Sequence, residues 1–237
     1  MASELRARIT RLDWKGIERS LDADGYARTG RLLTASECRD LAVLYGDPSR
    51  FRSRVVMERL GFGRGEYKYF GRPLPRLVQG LRTNLYPRLA PIAQRWAREL
   101  RQRRRYPPRL AGFLEQCARR GQTKPTPLML RYRVGDYNRL HQDIYGDIAF
   151  PLQFVCMLNR RGADYAGGEF LLVEQAPRAQ SKGTAIPLDR GEGLVFTTRE
   201  RPVEGRRGFY RVNMRHGMSE VTSGERIALG VIFHDGD

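Results

Sequence analysis

Apolar positions along this 237-residue chain change period part-way through it. In the first half, a short apolar strand pattern at 25–33 is followed by Thr34-Ala-Ser-Glu37. Thr34 and Glu37 have capping-box spacing, which opens a helix through Leu41, Val43 and Leu44. The aromatic alternation of Glu66-Tyr-Lys-Tyr-Phe70 predicts another strand. From Leu74 to about Arg105, Leu77, Leu81, Leu85, Leu89, Ile92 and Trp96 recur at helical spacing. Pro87 and Pro91 are expected to kink or divide that helix, whose other face is arginine-rich and ends in Arg103-Arg-Arg105. A shorter helical piece at 110–118 leads into a polar, proline-bearing connection.

Beyond residue 124 the pattern is strand-like. Candidate strands are 128–134, 138–143, 150–158, 168–173, 184–188, 193–196, 210–218 and 226–234. Eight short strands separated by turns suit a double-sheet jelly roll. The expected fold class is therefore α+β with a mainly β core, a double-stranded β-helix carrying an N-terminal helical support. The shift divides the chain into a support at 1–123 and a core at 124–237, joined as one integrated domain, as the length also suggests.

Composition adds a partner class. Lys and Arg total 43 against 26 Asp and Glu, a net +17, and only four of the 43 are lysines. Residues 1–127 carry +16 of that excess and residues 128–237 only +1. One-sided basicity of this size is the footprint expected of a polyanion partner, DNA or RNA, although arginine-rich coding and solvated charged faces give the same count. No stretch approaches the length of a membrane span, and the N-terminus lacks a secretory apolar region, so a cytoplasmic protein is expected. Cys38, Cys117 and Cys156 are too few and scattered for a disulfide frame or a thiolate zinc site. The sequence assigns no oligomeric state.

Chemistry concentrates in the second half. His141 and Asp143, two apart in a strand, project from one face, and His216 lies on a distant strand. Two imidazoles and one carboxylate on one side of a metal make the facial set of non-haem Fe(II) oxygenases. Arg226, ten residues on, suits a dicarboxylate, with Ala228 and Gly230 on its face leaving room for a bound acid. His234 shares that face but lies ~26 Å along the strand from Arg226, a poor position for a ligand. Gln153 has a parity that leaves it facing either pocket or solvent. Gly61-Phe-Gly-Arg-Gly65 lacks the spacing of a phosphate loop and is expected to be a turn.

Arg131-Tyr-Arg-Val-Gly-Asp-Tyr-Asn-Arg-Leu-His-Gln-Asp143, Gly167-Gly-Glu-Phe170 and the stretch from His216 to Arg226 together resemble the catalytic core of the Fe(II)/2-oxoglutarate-dependent dioxygenases, over roughly 125–237. More closely, Leu140-His-Gln-Asp-Ile-Tyr-Gly146, the stretch 174–181, Gly208-Phe-Tyr-Arg-Val-Asn-Met-Arg-His-Gly217 and Ile232-Phe-His-Asp235 resemble a bacterial subfamily associated with damaged or alkylated nucleic acid. That likeness extends into the N-terminal half. It implies Fe(II), 2-oxoglutarate and dioxygen as cofactors, with His141, Asp143 and His216 as the iron ligands. Arg226 then matches the residue that pairs with the 5-carboxylate. Tyr132 stands where such enzymes supply a hydroxyl to that carboxylate, or is an ordinary core tyrosine. The Gly167–Phe170 element has no assigned role.

The implied reaction couples decarboxylation of 2-oxoglutarate to succinate with oxidation of a substrate C–H bond. Oxidative dealkylation of nucleic acid is the first reading, with Tyr67, Tyr69 and Tyr145 as stacking candidates and Arg131 as a further substrate contact. The alternatives are a prolyl-type protein side-chain hydroxylase and a nucleic-acid-binding protein with an inert metal site.

Overall fold

The computed structural model describes residues 2–143 and 146–237. Two helices precede the first strand: α1 (Ala2–Thr10) and α2 (Trp14–Asp24). The Asp13 carboxylate accepts from Gly16 N to start α2, and Gly25, at φ 76, stops it. Next come β1 (Tyr26–Arg31) and α3 (Ala35–Leu44), where Thr34 and Glu37 form the expected reciprocal capping box. β2 (Phe51–Val56), a 3-10 turn at Met57–Leu60 and β3 (Glu66–Phe70) lead to α4 (Arg76–Glu99) and α5 (Leu110–Ala118). The remaining strands are β4 (Leu128–Arg133), β5 (Asn138–His141), β6 (Leu152–Met157), β7 (Tyr165–Gly167), β8 (Phe170–Gln175), β9 (Lys182–Ile186), β10 (Glu192–Thr197), β11 (Glu200–Gly205), β12 (Gly208–Met218) and β13 (Val221–Val231).

The strands form two antiparallel sheets, as a jelly roll requires. The larger runs β1-β10-β6-β13-β4-β3-β2, with β7 on β13; the smaller runs β11-β12-β8-β9, with β5 on β12. Alternation along the shared strands divides two cores. Phe154, Cys156, Val195 and Leu229 pack with Leu21, Leu81, Leu85 and Trp96 under the helices. Val155, Met157, Leu194, Phe196 and Ala228 face Phe170, Leu172, Val212 and Met214 between the sheets. The basic first half therefore contributes β1, β2 and β3 to the same sheet as the core.

Two expectations about α4 need correction. Pro87 and Pro91 do not divide it: both lie within one helix, on its exposed face, where the carbonyls they leave unpaired meet water. It also ends at Glu99, not Arg105. Arg101, at φ 54, turns the chain away and takes Arg103, Arg104 and Arg105 off the helix. The buried face of α4 carries an arginine. Arg82 is 1% exposed and donates to the carbonyls of Ile232, Phe233 and His234 and to Asp235 Oδ1 at 2.7 Å, pinning the chain beyond β13. No helix among the described residues is long and apolar enough to cross a membrane.

Candidate active site

His216 and His141 are direct cross-strand partners of β12 and β5, with ring centroids 4.3 Å apart. The strand expected over 138–143 ends at His141, so Asp143 is placed by side-chain contacts and not by strand alternation. The Gln142 amide donates to the carbonyls of Arg199 and Met214, both at 2.9 Å. Gln153 Nε2 donates to Asp143 Oδ2 at 2.7 Å. Asp143 then faces both imidazoles: Oδ1 is 3.5 Å from His141 Nε2 and Oδ2 is 3.4 Å from His216 Nε2. One donor atom from each of the three residues falls within a 4.8 Å cluster.

Protonation suits a cation. His141 Nδ1 lies 2.7 Å from the Arg139 carbonyl, which can only accept, so Nδ1 carries a hydrogen and in the neutral ring Nε2 keeps its lone pair; burial works against the charged ring, but Asp143 and that carbonyl raise its pKa. Burial works against the charged form of Asp143, yet His216 and His141 hold its carboxyl well below the ordinary carboxylate range. Burial also lowers the His216 pKa, favouring the neutral ring a metal needs, with Asp143 opposing. The His216 ring is held by packing, parallel to Phe170 at 6.0 Å and tilted 4.9 Å from Phe196.

These residues open on a cavity of about 440 Å³ between the sheets. Arg226, Ala228 and Gly230 line its wall in the expected alternation. Arg226 is 3% exposed, makes no ion pair with a described carboxylate, and its Nε has no hydrogen-bond partner among the described residues. Burial lowers its pKa, but a guanidinium remains charged, so it is a buried cation awaiting an anion. Tyr132, opposite Arg226 in the β4–β13 register, packs its ring 5.7 Å from the guanidinium. Gly167 and Gly168, at φ 70 and 61, explain the element without an assigned role: a Cβ on Gly168 would come within 2.7 Å of Arg226 Cδ. The donor set and a buried guanidinium with no carboxylate partner among the described residues fit Fe(II) and a dicarboxylate.

Of the aromatic candidates, Tyr67 lines the cavity. Tyr69 stands edge-on to Tyr67 at 5.4 Å, packs with Leu128 and Ile232, and is not among the lining residues. Arg131 lies away from the cavity, pairing with Glu66 and stacking 4.6 Å over the Tyr45 ring. Tyr145 lies outside the described residues. His234 is not part of the donor cluster; its Nδ1 accepts from Phe150 N at 3.2 Å. Gln142 and Gln153 were not identifiable as site residues from sequence. Parity left Gln153 undecided, and only the approach of β6 to the segment after β5 shows which way it turns.

Residues 65–236 match the model of the Oxygenase-NA family, described as an oxygenase catalysing oxidative methylation of damaged DNA. An uncharacterized protein of Mycobacterium tuberculosis, in strain H37Rv and likewise in strain CDC 1551, is 52% identical over 163 residues, 69% of this chain and 70% of its own. Among solved structures, a Pseudomonas putida prolyl-4-hydroxylase superposes with a TM-score of 0.53 at 15% identity, over 94% of this chain and 100% of that one. A non-heme alpha-ketoglutarate-dependent epimerase of nogalamycin biosynthesis gives 0.54 at 16% identity, over 92% and 81%. Those two likenesses establish the fold. The family match covers most of the chain: it belongs to the Oxygenase-NA family of oxygenases.

Proposed function

We propose that this oxygenase is an Fe(II)- and 2-oxoglutarate-dependent dioxygenase that removes alkyl groups oxidatively from nucleic acid, with His141, Asp143 and His216 holding the iron and Arg226 binding the 5-carboxylate of 2-oxoglutarate. The observation that carries the reading is the pairing of a three-residue donor cluster with a buried arginine that has no carboxylate partner among the described residues, in one cavity. Bound there, Fe(II) and 2-oxoglutarate supply oxidation of a substrate C–H bond coupled to decarboxylation to succinate. The protein's share is positioning. Gln153 and Gln142 fix Asp143 and its segment, the Arg139 carbonyl fixes the His141 tautomer, and Gly168 leaves Arg226 its place. The Tyr132 ring, beside Arg226, shields the guanidinium from water and strengthens its pairing with the acid.

The family description and the charge support nucleic acid as the substrate. An alkyl carbon hydroxylated next to nitrogen leaves as an aldehyde, so the net change on a methylated base is removal of the methyl group. Part of the basic excess is engaged internally: Arg8 with Glu37, Arg54 with Glu66, and Arg95 with Glu18, Asp22 and Glu99. Arg101, Arg103, Arg104 and Arg105 are exposed and form no ion pair with a described residue, which leaves them available to phosphates. A cytoplasmic location, and the division into a support at 1–123 and a core at 124–237 acting as one unit, belong to the same proposal. Succinate and formaldehyde release with methylated DNA, methylated RNA and proline-bearing peptides tests it. Equal release of both products with a nucleic acid is expected; turnover with peptide alone transfers the chain to the prolyl-type alternative.

A further inference from the structure

Gly61-Phe-Gly-Arg-Gly65 lacks phosphate-loop spacing, and its geometry shows another use for the glycines. All three have positive φ, at 70, 129 and 112. A Cβ on Gly63 would lie 2.3 Å from the Tyr137 carbonyl oxygen, and one on Gly65 would lie 2.6 Å from Tyr132 Cδ1. The segment can therefore press directly onto the approach to β5 and onto the cavity wall. Arg64 N donates to Tyr137 O and Arg139 N to Phe62 O, both at 2.9 Å, and Gly63 bridges Asn138. The backbone of Phe62 is thus tied to the strand that ends in His141.

Its side chain is not buried by this docking. Phe62 is 47% exposed and lines the cavity, as does Leu140, 44% exposed and adjacent to His141. Two large apolar groups left in water at the rim of one cavity mark a contact surface. Arg139, between them, is exposed and has no ion-pair partner among the described residues. A phenyl group and an unpaired guanidinium on residues of one cavity rim, joined through their backbones, match a base with its phosphate better than an aliphatic peptide side chain. The cavity, about 440 Å³, admits a cosubstrate and one planar group but no duplex.

Resting on the nucleic-acid reading above, we propose that Phe62 and Leu140 form a lip that grips a single unstacked base, with Arg139 on the adjoining phosphate. The test is binding of a short single-stranded DNA containing 2-aminopurine, a base whose fluorescence is quenched on stacking, across a salt series. The full-length protein is used, as wild type and as Phe62→Ala, Phe62→Tyr and Arg139→Gln. Loss of quenching with binding on the order of tenfold weaker is expected for Phe62→Ala, and retention of both for Phe62→Tyr. Arg139→Gln should lower the salt slope by about one. Wild-type binding and quenching in Phe62→Ala would overturn the lip and leave the nucleic-acid reading standing. A wild type that binds no DNA or RNA strand but binds a proline-bearing peptide would overturn both.

Discussion

His141 and Arg226 place the chemistry under one constraint each, a fixed tautomer and an uncompensated charge. Arg226 is the sharper case, because a buried guanidinium is costly until an anion arrives. Arg226→Ala should raise the KM for 2-oxoglutarate by roughly two orders of magnitude with a much smaller change in kcat. Arg226→Lys should recover only part, since an ammonium cannot make the two-pronged contact. A KM within a factor of three of wild type in the alanine variant would remove Arg226 from cosubstrate binding. The three clustered residues were legible in the sequence because their spacing and the distant arginine form a pattern. Gln153 was not, since period two fixes its parity but not which sheet face becomes the pocket. Tyr69 and Arg131 were readable only as an aromatic and a cation, and their neighbours Ile232 and Glu66 come from other elements.

Among elements, α4 shows how tertiary packing overrides local propensity. Two prolines in one helix cost about 3 kcal/mol each in isolation, yet a buried face from Val78 to Ala97 holds the helix through both. Most strands from β4 onward were legible because alternation survives in a two-faced sheet. The helices α1 and α2, the short strand β7 and the edge strands β2 and β11 gave no period strong enough to read. Arg82 joins α4 to the chain end after β13, so Arg82→Ala removes its bonds to the Ile232, Phe233 and His234 carbonyls and leaves Asp235 with Arg72 alone of its two arginines. A loss of about 3–5 kcal/mol in denaturant unfolding is expected. A loss below about 1 kcal/mol would mean that the network contributes nothing net. Gly168→Ala should act locally, raising the KM for 2-oxoglutarate by displacing Arg226; an unchanged KM would refute that role.

For the whole molecule, acid response and charge follow from the same packing. Burial lowers the His234 pKa to about 4, and its Nδ1 accepts from Phe150 N, which requires the neutral ring. In the unfolded chain the imidazole takes up a proton near pH 6.5. Stability is therefore full above that pH and falls as pH drops from about 6.5 toward 4, by about 2 kcal/mol between pH 7 and pH 5. Denaturant unfolding at those two pH values should show a smaller difference in His234→Asn than in wild type; equal differences would assign the acid sensitivity elsewhere. The net charge of +17 gives the molecule a polyanion-seeking field, but the donor cluster in its cavity decides what reaction follows. The most direct measurement is 2-oxoglutarate-dependent succinate formation with Fe(II), in wild type and Asp143→Ala, alongside calorimetric Fe(II) binding. Turnover and one bound Fe(II) are expected in wild type, and loss of both in the variant. Full succinate formation by Asp143→Ala would contradict that role for Asp143.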